Sequence, residues 1–309
     1  MRRPSVAAAR NAHVETGAPP SAVRLDFLSW NLRHAGVEPF GESGPLGLGL
    51  AALRPAVALL QECPRRVLPS QFVVEGPDGA RTYRTVYGLG GGDQRLAMVY
   101  DLGQARLKRR AVEILDGTLR RPALSAAFAL LAEGQIEPID LHLVNVHLLS
   151  RGGDNQVARL AEAQALADWI EQAAPEAKLD LVVGGDWNGP ANDEMLEPLT
   201  GLERRSHGAF QQISAGSEAG FLVASLRPRP HPEYVRGERF LDIGFNAQSN
   251  VATGVRPKPG MAFLPLTETF DARAHPAFAD WLKARTWLAK SAEFAPNTIT
   301  LFFPEYEPE

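Results

Sequence analysis

Short apolar runs, each followed at once by a polar residue, constrain this chain more than any other feature. Residues 56–61 (AVALLQ) form the clearest run, and residues 179–185 (LDLVVGG) form another. Runs of this length are typical of strands that are buried on both faces of a sheet. We therefore predict sheets that are covered on both sides by other layers of the protein.

The order of the predicted elements favours two packed sheets with helices outside. Strands are predicted at 23–30, 56–61, 72–74, 82–87, 96–100, 124–131, 139–147, 179–185, 240–245 and 298–303, and helices at 48–53, 155–171 and 276–290. The helix at 155–171 repeats apolar residues at helical spacing from Val157 and Leu160 onward, with Asp154 as its N-cap. A regular alternation of strands and helices is missing, so a Rossmann-type fold fits poorly.

Length and composition are those of a globular protein. The chain has 309 residues, of which 45% are hydrophobic and 22% charged, and we predict one domain over residues 23–309 after a disordered tail over residues 1–22. The net charge of -4 argues against sequence-blind binding of nucleic acid over the whole surface. The single cysteine, Cys63, excludes an internal disulfide, and no apolar run reaches the ~18 residues of a membrane span. We expect a cytoplasmic location.

Polar side chains follow four of the predicted strands. Asn31 follows VRLDFLSW, Glu62 follows AVALLQ, His147 follows LHLVNV, and Asp186 and Asn188 follow LVVGG. Because strand ends at one edge of a sheet commonly build functional sites, we expect these side chains to lie together. The carboxylate and amide oxygens suit an octahedral Mg²⁺ or Mn²⁺ ion, and zinc fits less well because no close Cys/His pair is present. His147 would supply a cation or a proton, and Asn188 would orient a nucleophilic water.

Each of these residues also has an ordinary structural explanation. Glu62 could be a surface carboxylate at a strand end, and His147 could be a structural histidine. Asp186 and Asn188 could form a turn, and Asn31 could cap one. Their occurrence at corresponding places after four strands favours a common site.

The segments LSWNLR, LLQEC, LVNVHLLS and LVVGGDWNGP, in this order, resemble the endonuclease/exonuclease/phosphatase superfamily. The resemblance runs from about Leu25 to about Phe278. It implies an α/β fold, a four-layered α/β/β/α sandwich of two mostly antiparallel sheets. It also implies a phosphoesterase that depends on Mg²⁺ or Mn²⁺ and hydrolyses P–O bonds by in-line attack of water.

The resemblance further implies a role for each matching residue. Asn31 and Glu62 match the metal site, with Asn31 also near the substrate, and His147 matches a histidine that contacts the scissile phosphate. The remaining matches are Asp186 and Asn188, which handle the nucleophile and the transition state, and Asp242, which orients the last catalytic histidine, His275.

The chain departs from the superfamily pattern at one position. Where the pattern reads Ser-Asp-His, this chain reads Arg273-Ala274-His275, so one carboxylate near the metal is absent. Asp271 would replace it only if the loop bulges. Loss of a carboxylate should weaken metal binding. A catalytically weakened binding protein on the same fold is therefore an alternative to an active enzyme.

The nature of the substrate is the least constrained prediction. Two basic groups could contact the phosphates of a nucleic acid, or could equally be solvated loop charge: Arg227, Arg229, His231, Arg236 and Arg239 in the first, and Lys108, Arg109, Arg110, Arg120 and Arg121 in the second. We select Arg236 and Arg239 as candidate substrate-binding residues. A nuclease or phosphodiesterase is the main prediction, and a phosphomonoesterase on a small or lipid-derived phosphate is the alternative. The sequence predicts no protein partner.

Overall fold

The computed structural model describes residues 22–32, 44–63, 68–131, 138–151, 154–177, 180–188, 194–200, 210–215, 219–224, 242–246, 262–263, 273–280 and 297–304. The predicted tail up to residue 21, Asp271 and the basic loop with Arg236 and Arg239 lie outside these residues. Within the described ranges, none of the helices combines the length and the apolar character needed to cross a membrane.

The strands, numbered in chain order, form two sheets. The first sheet contains, side by side, β14 (Ala262–Phe263), β13 (Asp242–Asn246), β15 (Asn297–Pro304), β1 (Ala22–Asn31), β2 (Val57–Gln61), β5 (Ala97–Asp101), β4 (Arg81–Tyr87) and β3 (Gln71–Val74). The second contains β11 (Phe210–Ala215), β12 (Ala219–Ala224), β10 (Asp180–Asp186), β9 (Ile139–His147), β8 (Ala123–Leu130) and β6 (Ala105–Leu107), and β7 (Val112–Ile114) also pairs with β8. The helices are α1 (Pro45–Leu53), α2 (Gln156–Ala177) and α3 (Glu197–Thr200), with further helical residues at 276–280.

Most neighbouring strands are antiparallel, and two parallel pairs lie at the centres of the sheets. Strands β1 and β2 are parallel, with Asn31 opposite Gln61. Strands β9 and β10 are parallel, with His147 opposite Asp186. In each pair the two carboxyl ends therefore lie side by side, and the side chains that follow them are neighbours.

Hydrophobic contacts divide the molecule into four layers. The two sheets pack face to face through side chains such as Phe27, Met98 and Leu143. Helix α1 and residues 276–280 cover the outer face of the first sheet. Helices α2 and α3 cover the outer face of the second. The expected four-layered α/β/β/α sandwich of two mostly antiparallel sheets is confirmed.

Helix α2 differs from its prediction at both ends. It begins at Gln156, so Asn155 and not Asp154 is the residue that precedes it. It continues to Ala177, beyond the predicted end at Glu171. Pro175 lies within its last turn, where a proline removes one hydrogen bond to the preceding turn without preventing the helix from reaching it.

The first turns of α2 bury a different face from the one that its apolar residues predict. Val157 is 82% exposed and Leu160 is 41% exposed. Arg159 and Glu162 are instead buried, each with only 4% of its surface exposed. The prediction of an apolar contact here was wrong, because this end of the helix faces polar backbone groups of three loops rather than the hydrophobic core.

Candidate active site

Side chains that follow both central parallel pairs meet at one end of the sandwich. Asn31, at the end of β1, donates hydrogen bonds from Nδ2 to Glu62 Oε1 at 3.3 Å and to Asp186 Oδ2 at 2.9 Å. Glu62 follows β2 in the first sheet, whereas Asp186 ends β10 in the second. The cluster therefore spans the two sheets, and each sheet supplies one carboxylate.

His147 completes this cluster from the end of β9. Its Nε2 lies 3.8 Å from Glu62 Oε1 and 3.6 Å from Asp186 Oδ2. The three side chains are nearly buried, with 3%, 10% and 9% of their surface exposed for His147, Glu62 and Asp186. A protonated imidazole at these distances forms an ion pair with both carboxylates.

Asn188 is held against the same cluster by a local turn. Its backbone N–H donates to Asp186 Oδ1 at 2.9 Å, and its side-chain Nδ2 donates to the Leu148 carbonyl at 2.7 Å. The first bond is the arrangement of an Asx turn. The turn predicted as the ordinary explanation is thus present, and it places Asn188 beside Asp186 and next to the residue that follows His147.

Glu62 and Asn188 both have left-handed backbone conformations. Their φ angles are 53° and 50°. This region is unfavourable for side chains with a Cβ, by roughly 1–2 kcal/mol, although asparagine tolerates it. Such conformations are concentrated at functional sites, where the surrounding structure maintains them. Here they turn both side chains away from the strand direction.

A buried polar contact joins the two sheets directly behind the site. Asn145 Nδ2 donates to the Leu60 carbonyl and to the Ala97 carbonyl, both at 2.9 Å. Gln61 Nε2 donates to Asn145 Oδ1 at 2.7 Å. Asn145 precedes His147 by two residues, and side chains two residues apart on a strand share a face. Sequence reasoning missed Asn145, although this shared face and the polar N-V-H segment are signals for it.

Arg121 also lies behind the site, where it is neither of the two alternatives that the sequence offered, a phosphate contact or a solvated loop charge. It is 6% exposed. Its Nε donates to the His147 carbonyl at 2.8 Å and its Nη2 donates to the Leu148 carbonyl, while Nη1 donates to Gln94 Oε1 at 2.6 Å. The guanidinium therefore fixes the backbone that carries His147.

The charge of Arg121 is balanced by carboxylates. Burial lowers the pKa of its guanidinium, while Glu162, Asp186 and Glu62 act in the opposite direction. Arginine remains protonated at any ordinary pH. Two of these three carboxylates belong to the cluster, so the site contains a permanent buried cation that the sequence alone did not identify.

The remaining predicted site residues lie outside this cluster or are only partly described. Asp242 begins β13, where it is paired with Phe302 of β15. His275 is half-buried and precedes the helical residues 276–280, whose Phe278 packs against Trp30 with ring centroids 6.5 Å apart. Ala274 is exposed in the preceding turn.

Glu62, Asp186 and Asn31 fit a hard divalent ion. Carboxylate oxygens from both acidic residues converge on the Asn31 amide, and two neighbouring carboxylates repel each other unless a cation lies near. Mg²⁺ is commonly held by one or two carboxylates and keeps several waters. Among the described residues, no three His, Cys, Asp or Glu side chains are grouped so that they could hold a metal ion.

Comparison with known proteins finds similarity in structure and none in sequence. No protein-family model and no curated protein matches the chain. D. rerio TDP2 complexed with a single-strand DNA product is similar at a TM-score of 0.51 and 13% identity, over 91% of this chain and 99% of that chain. Truncated Caenorhabditis elegans TDP2 is similar at a TM-score of 0.50 and 11% identity, over 90% of this chain and 97% of that chain.

A third similar structure is an endonuclease/exonuclease/phosphatase family protein from Bacteroides thetaiotaomicron. Its TM-score is 0.47 and its identity is 10%, over 93% of this chain and 99% of that chain. At these identities the likeness concerns the fold alone. The chain has the fold of the two TDP2 structures, and this supports the fold that its resemblance to the endonuclease/exonuclease/phosphatase superfamily implies.

Proposed function

We propose that this protein is a divalent-metal-dependent phosphoesterase, acting as a phosphodiesterase or nuclease. The observation that carries the proposal is the convergence of Asn31, Glu62, His147 and Asp186, from two different sheets, on one nearly buried spot. Hydrolysis of a phosphate ester needs groups that neutralise the phosphoryl oxygens and groups that orient a water. This cluster contains both kinds.

Asp186 and Asn188 are proposed to handle the attacking water. Both oxygens of Asp186 accept hydrogen bonds, from Asn31 and from the Asn188 backbone, and this fixes the orientation of the carboxylate. The Asn188 amide donates to Leu148, which directs its nitrogen inward and leaves its oxygen as an acceptor for water. Asp186 then takes the proton from that water during in-line attack on phosphorus.

His147 is proposed to face the phosphoryl oxygens. In its protonated form the imidazole offsets the charge that develops on these oxygens, and a nearly buried position strengthens this interaction. Glu62 and the Asn31 side chain would hold Mg²⁺ or Mn²⁺. When bound, such an ion supplies Lewis-acid stabilisation of the phosphoryl and leaving-group oxygens.

A diester of nucleic acid is the substrate class that we propose first. D. rerio TDP2, which has the same fold, is solved with a single-strand DNA product, and this makes single-stranded DNA the first substrate to test. Arg236 and Arg239 are further proposed substrate contacts from the sequence, and His275, oriented by Asp242, is a further proposed catalytic residue. We also propose that the protein acts in the cytoplasm.

The proposal is tested by measuring hydrolysis of single-stranded DNA, duplex DNA, RNA, bis-p-nitrophenyl phosphate, p-nitrophenyl phosphate and inositol phosphates with Mg²⁺, Mn²⁺ or EDTA. We expect metal-dependent cleavage of diesters. The variants Asp186→Asn and His147→Ala should each lower kcat by roughly 10²–10⁴-fold. This is the usual contribution of a side chain that transfers a proton or offsets developing charge in the transition state.

The matched control is Asp140→Asn, because Asp140 lies on the same strand as His147 but at its other end, beside Lys108. It should retain the wild-type rate. Turnover of monoesters alone would favour the phosphomonoesterase alternative. Absence of metal-dependent turnover on every ester, with the protein folded, would overturn the proposal and favour a binding protein.

A further inference from the structure

The backbone of Asn188 is maintained in an unfavourable conformation by three contacts. Its φ is 50°. Its N–H and its side chain donate to Asp186 and to Leu148, as described above. The third contact is made by its carbonyl oxygen, which accepts a hydrogen bond from Arg159 Nη2 at 3.0 Å. This contact comes, like the bond to Leu148, from outside the turn, and it links the Asn188 backbone to helix α2.

Arg159 lies on the first turns of α2 and connects two of the strand-end loops. Besides the bond to Asn188, its Nε donates to the Leu149 carbonyl at 3.1 Å. One planar guanidinium thus binds the loop after β9 and the loop after β10. The side chain is buried, and an arginine fork holds two acceptors at a fixed separation, which lysine cannot do.

Glu162 fixes the same loop from one helical turn further along. Its Oε2 accepts from the Leu149 N–H at 2.8 Å, and its Oε1 accepts from the Arg120 N–H at 2.7 Å. The backbone of Leu149 is therefore held at its N–H by Glu162 and at its carbonyl by Arg159. The loop after His147 is therefore fixed to α2, and Asn188 is positioned relative to this loop.

We propose that Arg159 is a positioning residue of the active site: it sets the distance between the His147 loop and Asn188, and so directs the Asn188 side chain toward the attacking water. Its role in turnover rests on the proposed function. In this arrangement Arg159 acts through the backbone carbonyls of Leu149 and Asn188. A shift of about 1 Å in a group of this kind is sufficient to cost ~100-fold in rate.

The test is a double-mutant cycle between Arg159 and Asn188. Arg159→Met removes the charge and the fork, whereas Arg159→Lys keeps the charge. We expect both variants to lower kcat by about 10–100-fold and to change KM by less than about threefold, because positioning affects the transition state more than binding. In the Asn188→Ala background the same changes should cost less than about twofold, because Arg159 acts through Asn188.

The matched control is Arg106→Met, since Arg106 is an exposed arginine on β6, which pairs with the end of β8 far from the site. It should keep wild-type kcat. Equal losses for Arg159→Met in the two backgrounds would show a general effect on folding and overturn the inference. Full rescue of kcat by Arg159→Lys would also overturn it, because the charge alone would then suffice.

Amide hydrogen exchange of the full chain provides a readout that does not require turnover. In Arg159→Lys and Arg159→Met, peptides that contain Leu148 and Leu149 or Asp186 to Asn188 should exchange faster, while the β3–β4 hairpin is unchanged. Unchanged exchange at these loops would contradict the inference even if the wild-type protein hydrolyses diesters. Faster exchange in a protein without activity would uphold the positioning and reject only the proposed function.

Discussion

At the scale of single residues, Gly185 decides how closely β10 can lie against β9. Its φ is 152°, and a Cβ added there would lie 2.0 Å from the Val146 carbonyl oxygen. The neighbouring atoms belong to backbone and cannot move aside as a flexible side chain would. Glycine is therefore required immediately before Asp186, at the point where β10 passes the strand that carries His147.

The variant Gly185→Ala should lower the free energy of unfolding by more than about 3 kcal/mol, because overpacking adds to backbone strain. Urea denaturation measures the loss. Gly76→Ala is the control, since an added Cβ would meet its nearest atom at an ordinary 3.5 Å, and its effect should remain within about 0.5 kcal/mol. A similar loss in the two variants would contradict the close approach of β10 to β9.

The sequence predicted the residues of the cluster better than it predicted the residues that hold the cluster in place. Asn31, Glu62, His147, Asp186 and Asn188 each follow a recognisable strand, so the fold brings them to one edge. Arg121, Arg159 and Glu162 are charged residues in sequence surroundings typical of a surface. Only Arg159 and Glu162 carry a signal, because their spacing to Ala163 and Leu166 puts them in phase with the buried stripe of α2.

At the scale of elements, Asn145 holds β9 against β2 and β5. It is fully buried, and its amide meets the Leu60 and Ala97 carbonyls of the first sheet. These carbonyl groups and the Gln61 amide lie where the two sheets begin to form the site. The contact therefore fixes the separation of the carboxylate of the first sheet from that of the second.

Asn145→Ala should lower the free energy of unfolding by about 2–4 kcal/mol, because it removes three buried hydrogen bonds, two donated to the Leu60 and Ala97 carbonyls and one accepted from Gln61. Urea denaturation tests this, with Gln71→Ala, at an exposed position of the edge strand β3, as a control that should differ little from wild type. If Asn145→Ala were as stable as the control, the polar contact between the sheets would not contribute to the stability of the fold.

Elements that combine apolar character with a regular period were predicted closely, and short edge strands were not. Strand β9 has the predicted bounds, and β2 differs from its prediction by one residue. The short strands β6, β7 and β14 were missed because two or three residues carry no measurable period. The strand pair β11 and β12 was also missed.

At the scale of the whole molecule, stability should depend on pH through His142. This histidine lies on β9 beneath α2, with its Nε2 2.6 Å from Ser125 Oγ and its ring against Trp169. Burial, with a smaller contribution from Arg109, lowers its pKa to about 4 from 6.5. The folded protein therefore binds a proton here less readily than the unfolded chain does.

Because the folded pKa is the lower one, the stability from neutral His142 is fully present above pH 6.5 and is lost as pH falls toward 4. Between pH 7.5 and pH 5 this group should account for about 2 kcal/mol of lost unfolding free energy. Urea denaturation at the two pH values measures it, and His142→Gln should lose correspondingly less. The same loss in both proteins would assign the acid sensitivity to other groups.

The overall architecture followed from the sequence because strand order and two-sided burial leave few ways to cover two sheets. The resemblance in motifs added the layer arrangement, and the structure confirms it. Substrate choice did not follow in the same way, since Arg236 and Arg239 belong to a Pro- and Arg-rich stretch of sequence that has no apolar period. Contacts with a long substrate are spread over loops, whose conformations have no periodic sequence pattern.

We propose above that the end of the sandwich around Glu62 and Asp186 is a metal-dependent phosphoesterase site. The most direct measurement is the rate of bis-p-nitrophenyl phosphate or single-stranded DNA hydrolysis as a function of Mg²⁺ concentration, for wild type and Glu62→Gln. We predict saturable, EDTA-sensitive turnover in wild type and at least about tenfold weaker apparent Mg²⁺ affinity, with a lower maximal rate, in Glu62→Gln. Identical Mg²⁺ curves for the two proteins, or wild-type hydrolysis that persists in EDTA, would contradict the claim.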